Sequence, residues 1–165
     1  MTAPGTVPAI LRWPDPRLRT PAAPVEAVTD AHRAHWEDML RAMYAMPGVG
    51  LAAPQIGVML RLAVVDAGAG PIRLADPEVI HASAELRAHE EASPCLPGVS
   101  ATVRRPRAVT VRYLDETGAA AERDFVRLEA TSVQHQIDHL DGRMFFDRLS
   151  RTRRDMVLRK AAKCA

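Results

Sequence analysis

Apolar and polar positions alternate along this chain in two distinct rhythms. Between Asp30 and Met46 the apolar residues Trp36, Met39, Leu40 and Met43 recur three and four apart, which is one face of a helix. Thr29 or Asp30 is placed to cap its start and Pro47-Gly48 to stop it. Leu60 to Asp66, Ile72 to Leu74 and Ala108 to Leu114 read as strands, the last alternating through Val109, Val111 and Tyr113 into an Asp-Glu-Thr-Gly turn. Ala121 to Val126 returns from that turn as a further strand. A second helix is predicted from Arg127 to Asp141, ended by Gly142, and a third from Arg151 to the C-terminus. Ahead of these elements Pro4, Pro8, Pro14, Pro16, Pro21 and Pro24 favour extended and turn conformations wrapped over the surface. Helices and antiparallel strands segregated in this way indicate an α+β fold.

Composition sets the bounds. A length of 165 residues suits one domain, residues 1–165, with a proper core, and 47% hydrophobic with 25% charged residues describes a soluble globular chain. No apolar run approaches the roughly 18 residues of a membrane span, and the N-terminus lacks a basic-then-apolar signal pattern, so the expected compartment is the cytoplasm, with no membrane partner. Cys95 and Cys164 are too few for a disulfide framework, and a reducing compartment keeps both as thiols. The net charge of +2 does not by itself imply nucleic-acid binding. Its distribution is uneven, however: seven basic residues lie between Arg148 and Lys163 against the single acid Asp155.

Three stretches carry candidate chemistry. In VQHQIDHLDG, residues 133–142, His135 and His139 are four apart and would share one helix face, where two imidazoles can meet one metal ion. The hydrolytic form of this motif, H-E-x-x-H, has a glutamate that takes a proton from water; here Gln136 stands in its place and cannot. Asp138 and Gln134 are candidate partners for the imidazole N–H groups, although two polar residues on a half-exposed helix would give the same pattern. GVGLAAPQIG, residues 48–57, combines glycines that permit close backbone approach with the amide of Gln55, or is a tight loop leading into a strand. EEASPCLPGV, residues 90–99, holds Cys95 between two prolines, either as a positioned thiol or as a small buried hydrophobe.

Together these stretches resemble the peptide deformylases, metal-dependent hydrolases that remove the N-formyl group from new bacterial polypeptides. The likeness begins at ILRWPDPRLRTPAAPV and matches the family's G-x-G-L-A-A-x-Q motif in GVGLAAPQIG. It continues through LADPEVI, with Asp76 where the family usually has Asn, and through VRRPRAVTVRYLDETG to QHQIDHLDGRMFFDRLS. The resemblance implies antiparallel sheets packed around a central metal-binding helix, with a C-terminal helix. It implies one divalent metal, commonly Fe²⁺ with Ni²⁺, Co²⁺ or Zn²⁺ tolerated, held by His135, His139 and a cysteine. It implies an oxyanion held by Gln55 and by the backbone N–H after the ligand cysteine, here Leu96. The substrate, an N-formylated peptide, would lie along Val49 and Gly50 near Arg105. A methionine pocket would draw on the helix around His135 and on Val99.

The departures fall on the chemistry. The family's second motif is E-G-C-L-S. Aligned without gaps, this chain puts Ser93 at the ligand cysteine; aligned on Cys-Leu, it puts Cys95 there. Thiolate with two imidazoles suits a soft divalent site better than a hydroxyl, so Cys95 is the expected ligand. At the family's general acid-base position stands Gln136, a loss of about 10² to 10⁴ in rate. Glu90 and Glu91 are the nearest carboxylates in sequence that could replace it. The resemblance thus implies a deformylase of reduced or altered activity. It leaves open an inactive protein that binds formylated N-termini, and a divergent amidase or acyl-transfer enzyme acting on a small formylated metabolite. The basic C-terminal stretch fits docking on the ribosome, as the family's C-terminal helix is thought to do, or a solvated helix end.

Overall fold

A computed structural model describes residues 5–164; Pro4 and Ala165 lie outside the described residues. The central element is a five-stranded antiparallel sheet in the order β1-β2-β3-β6-β7, formed by β1 (Gly50–Ala52), β2 (Leu62–Val65), β3 (Ile72–Ala82), β6 (Ala108–Leu114) and β7 (Ala120–Val126). A second, two-stranded sheet pairs β4 (Leu86–Glu91) with β5 (Ala101–Pro106). The helices are α1 (Asp30–Ala45), α2 (Arg127–Leu140) and α3 (Arg151–Cys164). Among the described residues no helix is long and apolar enough to cross a membrane.

The fold follows from where the apolar faces go. On α1, Trp36, Met39, Leu40 and Met43 pack on Leu51, Leu62, Val64 and Ala75, which is one face of the large sheet. The other face, through Ala63, Val65, Leu74, Val109, Val111 and Phe125, packs on Ala130, Val133, Ile137 and Leu140 of α2. Because β2 lies between the two helices, all four of its residues are buried, which accounts for its continuous apolar run. A third cluster joins α3 and β5 to the loop after β4 through Cys95, Leu96, Val103, Phe145, Phe146 and Val157.

α2 is therefore central, and every residue from Ala130 to Leu140 is buried, polar ones included. It starts directly from β7, with Arg127 in the left-handed region at φ 55°, and stops at Gly142, φ 77°. Its polar face is not half-exposed, as helical spacing alone suggested, but enclosed. The predicted elements are otherwise present with shifted ends, except that β3 runs on to Ala82. A register shift after Ala75 and a left-handed Asp76, φ 51°, carry it past Pro77. Aspartate tolerates that conformation better than most residues. The short β1 and the β4–β5 pair have no counterpart in the sequence-based expectation.

Candidate active site

The cleft between β1, β4 and α2 has a volume of about 410 Å³ and is lined by residues of all three stretches singled out above. Gly48, Val49, Gly50 and Gln55 come from the first, Glu90 to Pro94 from the second, and His135 and Gln136 from α2. Gly50 lies so close to α2 that a Cβ there would meet Ser132 Oγ at 2.4 Å and Gln136 Nε2 at 2.6 Å. The Val49 carbonyl accepts from the Asp66 N–H and from Ser132 Oγ, each at 3.0 Å. By strand alternation, Gly50 then turns its own N–H and C=O to the open edge of β1.

Gln55 sits in a tight turn, Ala53–Ile56, with its side-chain oxygen held by the Ala52 N–H at 2.9 Å, which points its Nε2 to Cys95 Sγ, 3.5 Å away. Burial pushes the Cys95 thiol up, outweighing the hydrogen bonds from Gln55 and Ser93. The Cys95 N–H donates to Ser93 Oγ at 3.3 Å. Cys95 is not on the cleft wall; with Leu96 and Cys164 it lines a second cavity of about 500 Å³ under α3. The Leu96 N–H, expected to face an oxyanion, is donated to the Ser93 carbonyl at 3.0 Å. Ser93 lies in the cleft, and Pro94 after it has no N–H to offer.

On α2 the two imidazoles are neighbours, their ring centroids 5.0 Å apart. His135 Nδ1 pairs with Glu91 Oε1 at 2.8 Å, and its Nε2 has no hydrogen-bond partner among the described residues. His139 is almost fully buried, and neither ring nitrogen has a hydrogen-bond partner among the described residues. Burial, with His135 beside it, holds its pKa well below the usual histidine value, so the ring is a neutral donor. Behind the pair lies a buried ion network. Arg105 grips Glu91 through Nε (2.7 Å) and Nη2 (3.0 Å) and reaches Asp138 through Nη1 (2.8 Å), while Arg148 binds the same Asp138. Burial alone would raise both carboxylates, but His135 and Arg105 hold Glu91 below its usual value, and Arg148 and Arg105 do the same for Asp138. Arg105 is thus buried behind the cleft and does not line it.

Comparison with known proteins bears on what this arrangement is. The family model described as "Polypeptide deformylase" matches residues 7–155. The peptide deformylase of Rhizorhabdus wittichii is 44% identical over 164 residues, covering 93% of each chain. This chain belongs to the polypeptide deformylase family. The crystal structure of a deformylase from Legionella pneumophila superposes with a TM-score of 0.89 at 40% identity, over 96% of this chain and 95% of that one. A deformylase from Synechococcus elongatus, solved in complex with actinonin, gives 0.88 at 34% identity, over 98% of this chain and 88% of that one. The α+β fold with sheets around α2 and a C-terminal helix is the deformylase fold.

Peptide deformylases are metalloenzymes, and the two imidazoles here fit a metal ion. One has its far nitrogen fixed by a carboxylate, the usual arrangement for a ligating histidine, and the other has buried nitrogens that only an ion or water can satisfy. The third donor is not assembled: among the described residues no three His, Cys, Asp or Glu side chains are grouped to hold a metal. Sequence reasoning missed Glu91 as the partner of His135. It had offered Asp138 and Gln134, which instead bind Arg105 with Arg148, and the Pro106 and Ala130 carbonyls. Its one available signal was Glu91 standing two residues before Ser93, where the deformylase E-G-C-L-S motif has its glutamate. Glu90 is exposed and hydrogen-bonded to Ser100.

Proposed function

We propose that this deformylase-family chain binds N-formylated peptide ends along the open edge of β1 and hydrolyses them slowly at most. The observation that carries the reading is Gln136, which faces the cleft between Gly50 and His135 with its amide oxygen buried and unpartnered among the described residues. A neutral amide there can offer its N–H to a substrate carbonyl but cannot relay a proton to a leaving amine. The oxyanion donors are reduced as well: Gln55 Nε2 remains, while the Leu96 N–H is engaged and Pro94 has none. His135 and His139 would hold a divalent ion, Fe²⁺ being the family's usual choice. Ser93, being in the cleft, is better placed than Cys95 as third donor. When bound, such an ion supplies Lewis-acid polarisation of the formyl carbonyl. The actinonin complex of the Synechococcus relative supports a peptide-like occupant for the cleft.

Restoring the relay tests this reading. Gln136→Glu is expected to raise deformylation of a formylated tripeptide by at least about 10², the lower end of what general acid-base help supplies. Wild-type turnover equal to that of the variant would refute it. The cytoplasm and the ribosome belong to the same reading. On α3, Arg151, Arg159, Lys160 and Lys163 are all exposed and present a basic surface suited to ribosomal RNA.

A further inference from the structure

Under α3 lies an open hollow of about 500 Å³, against about 410 Å³ for the cleft, and the proposed reaction makes no use of it. Trp13 and Pro14 of the N-terminal stretch, Pro97 of the loop after β4, and Leu158, Ala162 and Cys164 of α3 wall it, all of them half-buried or exposed. The buried Cys95 and Leu96 form its floor. The backbone there is already engaged: the Trp13 N–H donates to the Cys95 carbonyl at 2.8 Å and the Leu96 N–H to the Ser93 carbonyl at 3.0 Å. Packed proteins seldom leave a space larger than a water molecule. α3 nonetheless buries only Val157 and Ala161, and puts Ala162 where a longer apolar side chain would fill the gap.

Apolar walls with few polar groups are the make-up of a small-molecule site, commonly of about 300–1,000 Å³. Here the charged group is Arg12. It is exposed on the lining, no ion pair or hydrogen bond holds its guanidinium among the described residues, and no acidic residue lines the hollow. Its charge also reaches the Cys95 sulfur in the floor. A neutral apolar molecule would leave that charge unmatched, and a cation would be repelled by it. We infer that the hollow under α3 binds a free carboxylate with an apolar body of medium-chain fatty-acid size, its tail beneath the helix and its head on Arg12. The inference is independent of the reaction proposed for the cleft.

Calorimetric titration of the whole chain with hexanoate, octanoate, decanoate and dodecanoate is the test, with decanol and decyltrimethylammonium as controls of equal tail length to decanoate. Each methylene taken into the hollow is expected to tighten binding about fourfold until the space is full, after which the gain stops. Decanoate should bind tighter than either control. Arg12→Gln should weaken decanoate about twofold to fivefold, the scale of an exposed ion pair, and leave decanol unmoved. Ala162→Trp, which fills the hollow, should abolish binding of both. If that variant does not fold, Ala162→Leu should bring the end of the gain to a shorter chain. Absence of saturable binding by the wild type overturns the inference, as does an order among the three head groups that Arg12→Gln leaves unchanged. Binding that neither Ala162 variant alters places the carboxylate elsewhere and overturns it too.

Discussion

A Cβ on Gly50 would stand 2.4 Å from Ser132 Oγ and 2.6 Å from Gln136 Nε2, so the approach of β1 to α2 depends on that residue having no side chain. Gly50→Ala should force the Ser132 bond to the Val49 carbonyl apart and destabilise the fold by about 1–3 kcal/mol, the usual cost of overpacking. Peptide binding should fall with it, and thermal melting beside calorimetry would check both. Asp147 offers a prediction about pH. Burial would raise its carboxyl, but Arg19, donating through Nη2 at 3.0 Å, and the Met144 N–H bring it below the usual aspartate value. A carboxyl depressed in the folded state contributes stability above its unfolded pKa and loses it as pH falls through the folded one. Asp147→Asn should therefore lower the melting temperature at about pH 7, and the difference from wild type should shrink as the medium approaches about pH 3.

Among the elements, α2 and the β4–β5 pair show what a linear pattern carries. The C-terminal stop and length of α2 were legible because Gly142 and the apolar positions Ala130, Val133, Ile137 and Leu140 mark them. Its burial was not legible, since Gln134, His135, Gln136 and Asp138 read as a wet face when they are in fact enclosed, with Gln134, His135 and Asp138 also hydrogen-bonded. β5 was missed for a related reason. Its inward residues are Val103 and Arg105, and an arginine on the inner face breaks the apolar alternation that announces a strand. What allows that arginine inside is its pairing with Glu91 on β4 and Asp138 on α2, partners distant in sequence. Arg105→Met should leave two buried carboxylates short of a partner, at a cost of about 3–5 kcal/mol in chemical denaturation. It should also free Glu91, so that His135 is less firmly oriented and metal retention, read by elemental analysis, declines.

For the molecule as a whole, the family was legible because motif residues far apart in sequence meet at one cleft. The course of the loop that carries Ser93 and Cys95 was not, because an alignment cannot say which way a loop between two prolines turns. That loop places Ser93 toward the cleft and Cys95 toward the cavity under α3. The basic surface of α3 is testable at this scale too. Replacing Arg151, Arg159, Lys160 and Lys163 by Gln should release the chain from ribosomes in cosedimentation and flatten the salt dependence by roughly one unit of log–log slope for each phosphate no longer neutralised. Cosedimentation equal to wild type would remove α3 from any such role. Finally, the edge that β1 gives the large sheet beside the cleft is only three residues long, Gly50–Ala52, with Pro47 before it and Pro54 in the turn that follows. With peptide ends lying there as proposed, an edge so brief would read the opening of a polypeptide but not its message, and chains of unrelated sequence would be alike to it after the first few residues.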